Sequence, residues 1–268
     1  MTKPSPIKAT RFVEDLLSHG RYFFSRKEAE QHLSGSPAAT YMALHRMVRT
    51  GRLVMPRSGF YVIVDPQHRA AGTLPPEWFI QALMTHVGKP YYVGLLSAAQ
   101  VHGAAHHRPQ TFQVVIPIRA IRPFRVGNVR IQFFGKGPFN CSETAEAKSP
   151  TGMFRISTPE TTAWDLVRYP RAAGGLGHTV TVLAELAERL DAAALLKTVK
   201  GHGDPLVAQR LGFLLDLVRR GDLTAGLARW VGRDDAPYRP LEPSLPVAGA
   251  FESAKWRLLV NTHLEPEA

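Results

Sequence analysis

The sequence predicts an α+β protein made of a winged helix-turn-helix domain over residues 1–72 and a larger mixed α/β domain over residues 73–268. Three observations lead to this prediction. Three helical patterns precede a hairpin near the start of the chain, a Gly- and Pro-bearing stretch follows, and the remainder holds β-rich segments and then helices. A chain of 268 residues is long enough for two domains of about 100–200 residues each.

The first two helices are predicted from an apolar stripe and from a capping box. In ATRFVEDLLSHG the apolar residues recur at helical spacing, and a glycine follows. In SRKE, the hydroxyl of Ser25 can accept from the backbone N–H of Glu28, while the Glu28 side chain reaches back to Ser25. We therefore expect a second, short helix that ends near Leu33.

The third helix is predicted to begin after a tight turn and to lead directly into a hairpin. Ser36 is a good N-cap, Pro37 is tolerated at the first helical position, and Gly51 suits the helix end. Two apolar runs over residues 52–55 and 60–64 then flank a polar tip, which predicts two short antiparallel strands.

This order of elements predicts DNA binding. In a winged helix-turn-helix the helix after the turn enters the major groove, and the hairpin lies along the neighbouring backbone or minor groove. The third helix holds no acidic residue, and its Arg46 is best suited to a guanine edge. For any single side chain, packing at a core edge or simple solvation is the alternative. The predicted DNA-contacting residues are Ser25, Ser36, Thr40, Tyr41, His45, Arg46, Arg49, Arg57 and Ser58.

The charge distribution also favours a polyanionic partner. The net charge is +11, and it divides into +5 for residues 1–77, +7 for residues 78–142 and −1 for residues 143–268. Residues 78–142 contain no Asp or Glu, so they could form a second surface for phosphates or for an acidic protein. The alternative is that these basic residues are scattered over several faces of the protein. The residues of this possible second basic surface are Arg108, Arg119, Arg122, Arg125, Arg130 and Lys136.

The C-terminal domain is predicted to follow a linker over residues 65–76. Its strands are expected in TFQVVIPI, FRVGNVRIQFFG and GMFRIS, with a turn at Gly127-Asn128. STPETTAWDLVRYP begins a helix capped by Ser157 or Thr158, and further helices extend from about residue 176 to 230. KWRLLVN is expected to form a last strand.

We predict no catalytic residue, no cofactor and no metal site. AAGGLGH lacks the Lys-Ser/Thr of a phosphate-binding loop and is expected to open a helix. Glu160 and Asp165 are five residues apart and share no helix face, so Asp165 is interpreted as a surface or packing-edge acid. His102, His106 and His107 are poor metal ligands as a set, because Gly103 interrupts the helix that would align them.

The remaining composition is typical of a cytoplasmic protein. No apolar run approaches the roughly 20 residues that span a bilayer, and the N-terminus lacks the apolar core of a signal peptide. The single cysteine, Cys141, excludes an internal disulfide framework.

Several strings of the second domain resemble those of a known family. YYVGLLSAAQVHGAAHHRPQTFQVVI, RISTPETTAWDLV, GGLG and QRLGFLLDLV follow one another as in the AbiEi-type antitoxins of type IV toxin–antitoxin systems. The resemblance covers nearly the whole chain, from near residue 9 to KWRLLVN. None of these strings is a catalytic motif.

The resemblance implies an antitoxin that is not an enzyme, with a winged-helix N-terminal domain and an AbiEi C-terminal antitoxin domain. It implies two partners: double-stranded operator DNA with inverted repeats, and a cognate nucleotidyltransferase-like toxin. Members are linked to phage defence, and many repress their own operon. Neutralisation is assigned to the C-terminal domain, with or without direct toxin contact.

Two other functional classes stay open at this point. One is a winged-helix regulator whose C-terminal domain senses a small molecule, which predicts ligand-dependent DNA affinity. The other is a nucleic-acid enzyme such as a nuclease, which predicts metal-dependent cleavage.

Overall fold

The computed structural model describes residues 8–104, 110–118, 121–232 and 237–265. Within these ranges the helices are α1 Ala9–Ser18, α2 Arg26–His32, α3 Pro37–Arg49, α4 Ile80–Val87, α5 Leu95–Val101, α6 Pro159–Arg168, α7 Leu176–Leu186, α8 Ala192–His202, α9 Pro205–Leu217 and α10 Ala225–Gly232. The strands are β1 Phe23–Ser25, β2 Leu53–Arg57, β3 Phe60–Ile63, β4 Tyr92–Val93, β5 Thr111–Pro117, β6 Phe124–Val126, β7 Val129–Lys136, β8 Thr144–Ser149, β9 Gly152–Ser157, β10 Arg239–Pro240, β11 Phe251–Ser253 and β12 Leu258–Val260. This mixture of helices and sheets confirms the predicted α+β class.

The chain forms two compact units that are each built from separate stretches of sequence. The first unit comprises the described residues within Met1–Tyr91, Gln110–Phe134 and Glu146–Arg155, and the second comprises those within Tyr92–Pro109, Gly135–Ala145 and Ile156–Ala268. The boundary expected between residues 72 and 73 falls inside the first unit. A division of the sequence there stays a prediction.

The first unit begins with the predicted winged helix-turn-helix order. The strands β1, β3 and β2 form an antiparallel sheet in that order, in which Phe24 lies opposite Tyr61 and Leu53 opposite Ile63. The strand β1 was not predicted from the sequence, although three aromatic residues precede Ser25 there. It adds a third strand to the predicted hairpin.

Apolar side chains of α1, α2, α3 and the small sheet share one core. Phe12 meets Phe24 edge to face at a centroid distance of 5.2 Å. This packing fixes α3 against the first two helices and the sheet. The core residues are Phe12, Val13, Leu16, Phe24, Ala29, Leu33, Leu44, Met47, Leu53, Tyr61 and Ile63.

The stretch expected to be a linker is packed within the first unit. Leu74 is buried, and Asp65 accepts from the backbone N–H of His68 to cap a short 3₁₀ turn. The backbone N–H of Asn128 donates to the carbonyl of Ala71. Gly127 has φ of 54°, and a Cβ there would lie 2.4 Å from the Ala71 oxygen, so the predicted turn between β6 and β7 needs glycine.

The second unit is organised around α6. Every residue from Glu160 to Val167 is buried, and α6 packs against α5, α7, α8 and α9. Thr158 caps this helix by accepting from the backbone N–H of Thr161, which confirms the predicted start. Val93 of β4 pairs in parallel with Ile156 of β9 beside it.

The end of the chain forms a small separate sheet in the second unit. Its strands lie in the order β10-β12-β11, and β12 occupies the position predicted from KWRLLVN. Asp204 caps α9 by accepting from two backbone N–H groups, and Pro205 follows at the first helical position.

Candidate functional site

The helix α3 is held by one buried face. Leu44 and Met47 pack into the core of the winged helix, and Thr40 on the same side is only 3% exposed. The expected role of Thr40 at a base edge is therefore not supported by its position, because its side chain lies under the helix. Thr40 and Met47 are seven residues apart, which is about two helical turns, so both lie on the same face of α3.

The opposite face of α3 is exposed and carries the predicted basic side chains. Tyr41 is 41% exposed and Met42 is 54% exposed, and His45, Arg46 and Arg49 are exposed as well. Among the residues that the structure describes, no acidic side chain pairs with any of these three basic residues. Their charges therefore stay available to an external anion.

Arg26 also belongs to this surface, although the sequence analysis did not select it. Its guanidinium lies 5.0 Å from the centroid of the Tyr41 ring, and its Nε donates to Glu30 over 2.8 Å. The only feature of the sequence that could have indicated Arg26 is its place at the first position of α2, after the capping serine. Arg26 holds Tyr41 from the α2 side.

Arg46 lies on the other border of the exposed face. It lines an open groove of about 590 Å³ with Lys8 and Arg52, and Arg52 pairs with Glu14 at 3.5 Å. Helix geometry places Met42 and Arg49 between the two borders. The face is therefore about three side chains wide. Its basic residues on α3 lie toward the C-terminal end of the helix, and Arg26 of α2 lies beside Tyr41 at the other end.

Both predicted serines act as helix caps. Ser25 accepts from the backbone N–H of Glu28 over 3.1 Å, and Ser36 accepts from that of Ala39 over 3.2 Å. The Glu28 carboxylate is bound by Arg21 at 2.6 Å. Each hydroxyl still has its own proton, so a serine that caps a helix can donate to a phosphate.

The wing is packed against the rest of the first unit. Arg57 donates to the carbonyl of Arg122 over 2.9 Å and stacks over the ring of Phe124 at 4.5 Å, and burial lowers the pKa of its guanidinium. The carbonyl of Ser58 accepts from His86 over 3.0 Å. Arg57 is therefore partly occupied by the protein itself, and the predicted contact of the wing tip with DNA depends on its remaining N–H groups.

The possible second basic surface divides into three groups. Arg122, Arg125 and Arg130 are exposed on or beside the β6–β7 hairpin in the first unit. Arg108 and Arg119 lie outside the described residues. Lys136 does not belong to any surface: it is 1% exposed in the second unit, which corrects the sequence-based prediction.

Lys136 takes part in a buried polar cluster with Asp165 and Tyr92. Its ammonium lies 2.5 Å from one Asp165 oxygen and 3.1 Å from the Tyr92 hydroxyl, which donates to the other Asp165 oxygen over 2.7 Å. The interpretation of Asp165 as a surface or packing-edge acid was wrong, because α6 is covered on all sides and the residue is fully buried. The sequence pattern showed only a polar residue within TTAWDLV.

Burial controls the charges of this cluster. It raises the pKa of Asp165 and lowers the pKa of Lys136, and the attraction between the two charges opposes both shifts. The pKa of Tyr92 is raised well above its usual value by burial and by the nearby Asp165 carboxylate. Hydrogen bonds to all three groups make the cluster a structural tie between β4, β7 and α6.

The described residues offer no obvious place for a metal. Within them, no group of three His, Cys, Asp or Glu side chains is arranged to hold an ion. The ring of His102 is tied to the carbonyl of Ser157 at 2.8 Å. His106 and His107 lie outside the described residues.

The two parts of the chain match two descriptions of one family. Residues 11–64 match "Transcriptional regulator, AbiEi antitoxin", and residues 92–217 match "AbiEi antitoxin C-terminal domain". The chain belongs to the AbiEi-type antitoxin family. The AbiEi regulator match covers the winged helix, and the AbiEi antitoxin match includes the buried cluster around Asp165. This AbiEi protein is therefore an antitoxin of a toxin–antitoxin system with a transcriptional regulator role.

The fold is shared with a solved structure. The crystal structure of the RV2827C protein from Mycobacterium tuberculosis is 16% identical, with a TM-score of 0.69, and the match covers 96% of this AbiEi chain and 92% of that chain. At this identity the likeness concerns the fold alone. No curated protein is significantly similar to the chain. In the described part of the chain, no helix has the length and apolarity needed to cross a membrane.

Proposed function

We propose that this antitoxin represses its own operon by placing α3 in the major groove of inverted repeats upstream, and that it neutralises a nucleotidyltransferase-like toxin. The exposed basic face of α3 is the observation that carries the DNA-binding part. A helix fixed by Leu44 and Met47, with Arg46 and Arg49 free of acidic partners among the described residues, has the form of a recognition helix.

The contacts divide by chemistry. Arg46 can bind O6 and N7 of a guanine, while Tyr41 and His45 can contact neighbouring base edges. Ser25, Ser36, Arg49, Ser58 and the remaining guanidinium N–H groups of Arg57 suit phosphates, because helix N-termini and arginines bind anions. The family membership supports the toxin as second partner. A cytoplasmic location and the absence of an enzymatic activity belong to the same proposal.

Operator binding can be tested with a duplex that contains the inverted repeats and with a random duplex at one fixed salt concentration. Arg46→Ala should weaken operator binding by about 1–3 kcal/mol and relax the base preference at one position. Arg49→Ala should weaken binding to both duplexes similarly, because phosphates carry no sequence information. Lys200→Ala, an exposed lysine of α8, is the matched control. Unchanged binding of both arginine variants would refute the assigned face.

A further inference from the structure

The β6–β7 hairpin adjoins the wing within the first unit. Arg57 of the wing donates to the Arg122 carbonyl over 2.9 Å and lies 4.5 Å from the centroid of the Phe124 ring. A planar guanidinium stacked on a ring and bonded at one nitrogen has a fixed direction. The wing tip and the start of β6 are therefore held together.

A chain of direct contacts leads from α3 to this hairpin. Tyr41 of α3 lies under the Arg26 guanidinium at 5.0 Å. The backbone N–H of Arg26 donates to the carbonyl of Gly59 at the wing tip over 2.7 Å. Arg57, two residues before Gly59, then reaches β6. The exposed face of α3 and the β6–β7 hairpin are thus joined through the wing without a gap in the contacts.

The hairpin holds two arginines directly opposite each other. Arg125 of β6 pairs with Arg130 of β7 in the antiparallel register, and both are exposed. Side chains in this arrangement have Cβ atoms about 4.5–5.5 Å apart, and like charges placed so destabilise a sheet. Among the residues that the structure describes, no acidic side chain pairs with either arginine.

A cleft marks the place where an anion would relieve this repulsion. It has a volume of about 410 Å³ and is lined by Gln110, Thr111, Pro123, Phe124, Arg125 and Arg130. Two guanidinium groups supply paired donors of the geometry that a phosphate accepts, and the amide and hydroxyl groups add further donors. The position between two like charges favours a dianionic or polyanionic ligand over a neutral one.

We propose that the β6–β7 hairpin is a second DNA-backbone-binding surface, in which Arg125 and Arg130 grip phosphates beside the segment that α3 contacts. Arg57 is a positioning residue that holds this hairpin against the wing. The inference rests on the proposed operator binding and extends it beyond the winged helix. DNA is favoured over an acidic protein because contacts through the wing connect the hairpin to α3 and because regularly spaced phosphates suit two adjacent arginines.

The salt dependence of DNA binding tests this surface. Each phosphate contact contributes about −0.9 to the slope of log K against log salt concentration. The double variant Arg125→Gln/Arg130→Gln should therefore have a slope smaller in magnitude by about 1.8, on the operator and on a random duplex alike, with the ratio of the two affinities kept. Each single variant should account for about half of that change. Arg125→Lys/Arg130→Lys retains the charge and should restore most of the wild-type slope.

A matched control removes two charges elsewhere in the first unit. Lys148 and Arg155 are exposed on β8 and β9, and Lys148→Gln/Arg155→Gln should keep the wild-type slope. A wild-type slope for Arg125→Gln/Arg130→Gln would overturn this inference while leaving the operator proposal intact. A wild-type slope together with loss of toxin neutralisation would overturn it in favour of a protein partner. If the wild-type protein itself does not prefer the operator, the operator proposal fails instead.

Discussion

Arg130 and Lys136 lie six residues apart on β7, and strict alternation would put both on the same face of the strand. Arg130 is exposed as that pattern predicts, but Lys136 is buried against Asp165. The alternation breaks at Gly135, the exposed residue before Lys136. A buried ammonium is tolerated there because Asp165 and Tyr92 provide its partners, and removing one of them would leave an uncompensated charge.

The charge state of His202 is influenced by Lys136, a member of this buried cluster. Its ring stacks on Trp164 at a centroid distance of 5.1 Å. Burial, together with the positive charges of Lys136 and Arg168, lowers the pKa of His202 to about 3. The folded protein therefore holds this imidazole neutral at pH values where an unfolded chain would protonate it.

We predict that His202→Phe makes the protein less sensitive to acid. Because the pKa of His202 in the folded state lies below the ordinary histidine value of about 6.5, the stability linked to His202 is complete above that pH and is lost as the pH falls toward about 3. Phenylalanine keeps the stacking and cannot be protonated. The fall in melting temperature between about pH 7 and pH 4.5 should be smaller than in the wild-type protein. His263→Phe, at an exposed site, should show the same fall in melting temperature as the wild-type protein. An equal fall in melting temperature for all three proteins would contradict the prediction.

At the scale of elements, one glycine decides how α9 packs. A Cβ at Gly212 would lie 2.1 Å from the ring of Trp256, which is buried. The indole N–H of Trp256 donates to Asp216 over 2.7 Å, and Lys255 binds the same carboxylate oxygen at 2.6 Å. The buried ring is therefore tied to α9 through Asp216, which leaves it little room to move away from the helix.

We predict that Gly212→Ala destabilises the protein. Alanine gains about 1 kcal/mol of helix propensity, but a methyl group forced into a fixed ring costs about 1–3 kcal/mol or more, so the clash should exceed the gain. Gly177→Ala in α7 is the control, because a Cβ there has no neighbour within 4 Å. Chemical denaturation should give Gly212→Ala a lower free energy of unfolding than the wild-type protein. The free energy of unfolding of Gly177→Ala should equal or exceed that of the wild-type protein. Stabilisation by Gly212→Ala would contradict this account of the packing.

At the scale of the whole molecule, the winged helix is not an independent piece of the first unit. Tyr22 meets Trp78 edge to face at 5.3 Å, and Phe60 packs on His86 at 5.5 Å. Arg57 binds the start of β6 as well. A fragment from about residue 73 onward would expose these partners, so truncation is a poor way to separate repression from neutralisation.

Point substitutions should separate the two roles. We predict that Arg46→Ala/Arg49→Ala abolishes repression of an operator-controlled reporter and leaves toxin neutralisation unchanged, because both residues lie on the exposed face of α3. The fragment over residues 73–268 should instead accumulate poorly and melt at a lower temperature than the full chain. Growth during toxin expression, at matched antitoxin levels, measures neutralisation. If the double variant also fails to protect cells, the winged helix takes part in neutralisation.

Local patterns predicted most of the winged helix because its elements are short and bounded by caps, turns and glycines. The capping serines, the third helix and the hairpin were all confirmed. The DNA-contacting residues of α3 and the wing stay predictions, apart from the buried Thr40. The strand β1 was missed because three residues give too little periodicity. The acid-free span of residues 78–142 suggested one basic surface, but the fold divides it between two units.

The sequence by itself determined the family, through the resemblance of its strings to those of AbiEi-type antitoxins. It also determined the α+β class and the basic helix α3, since these depend on composition and on contacts between near neighbours in the chain. Only the tertiary structure decided that Lys136 is buried with Asp165, that Arg57 holds the β6–β7 hairpin, and that Arg125 faces Arg130. The contact of Lys136 with Asp165 connects residues 29 positions apart, and that of Arg57 with Arg122 connects residues 65 positions apart. The pairing of Arg125 with Arg130 depends on the register of two strands. Local periodicity carries no information about which distant side chain will supply a partner, because that depends on how whole elements pack.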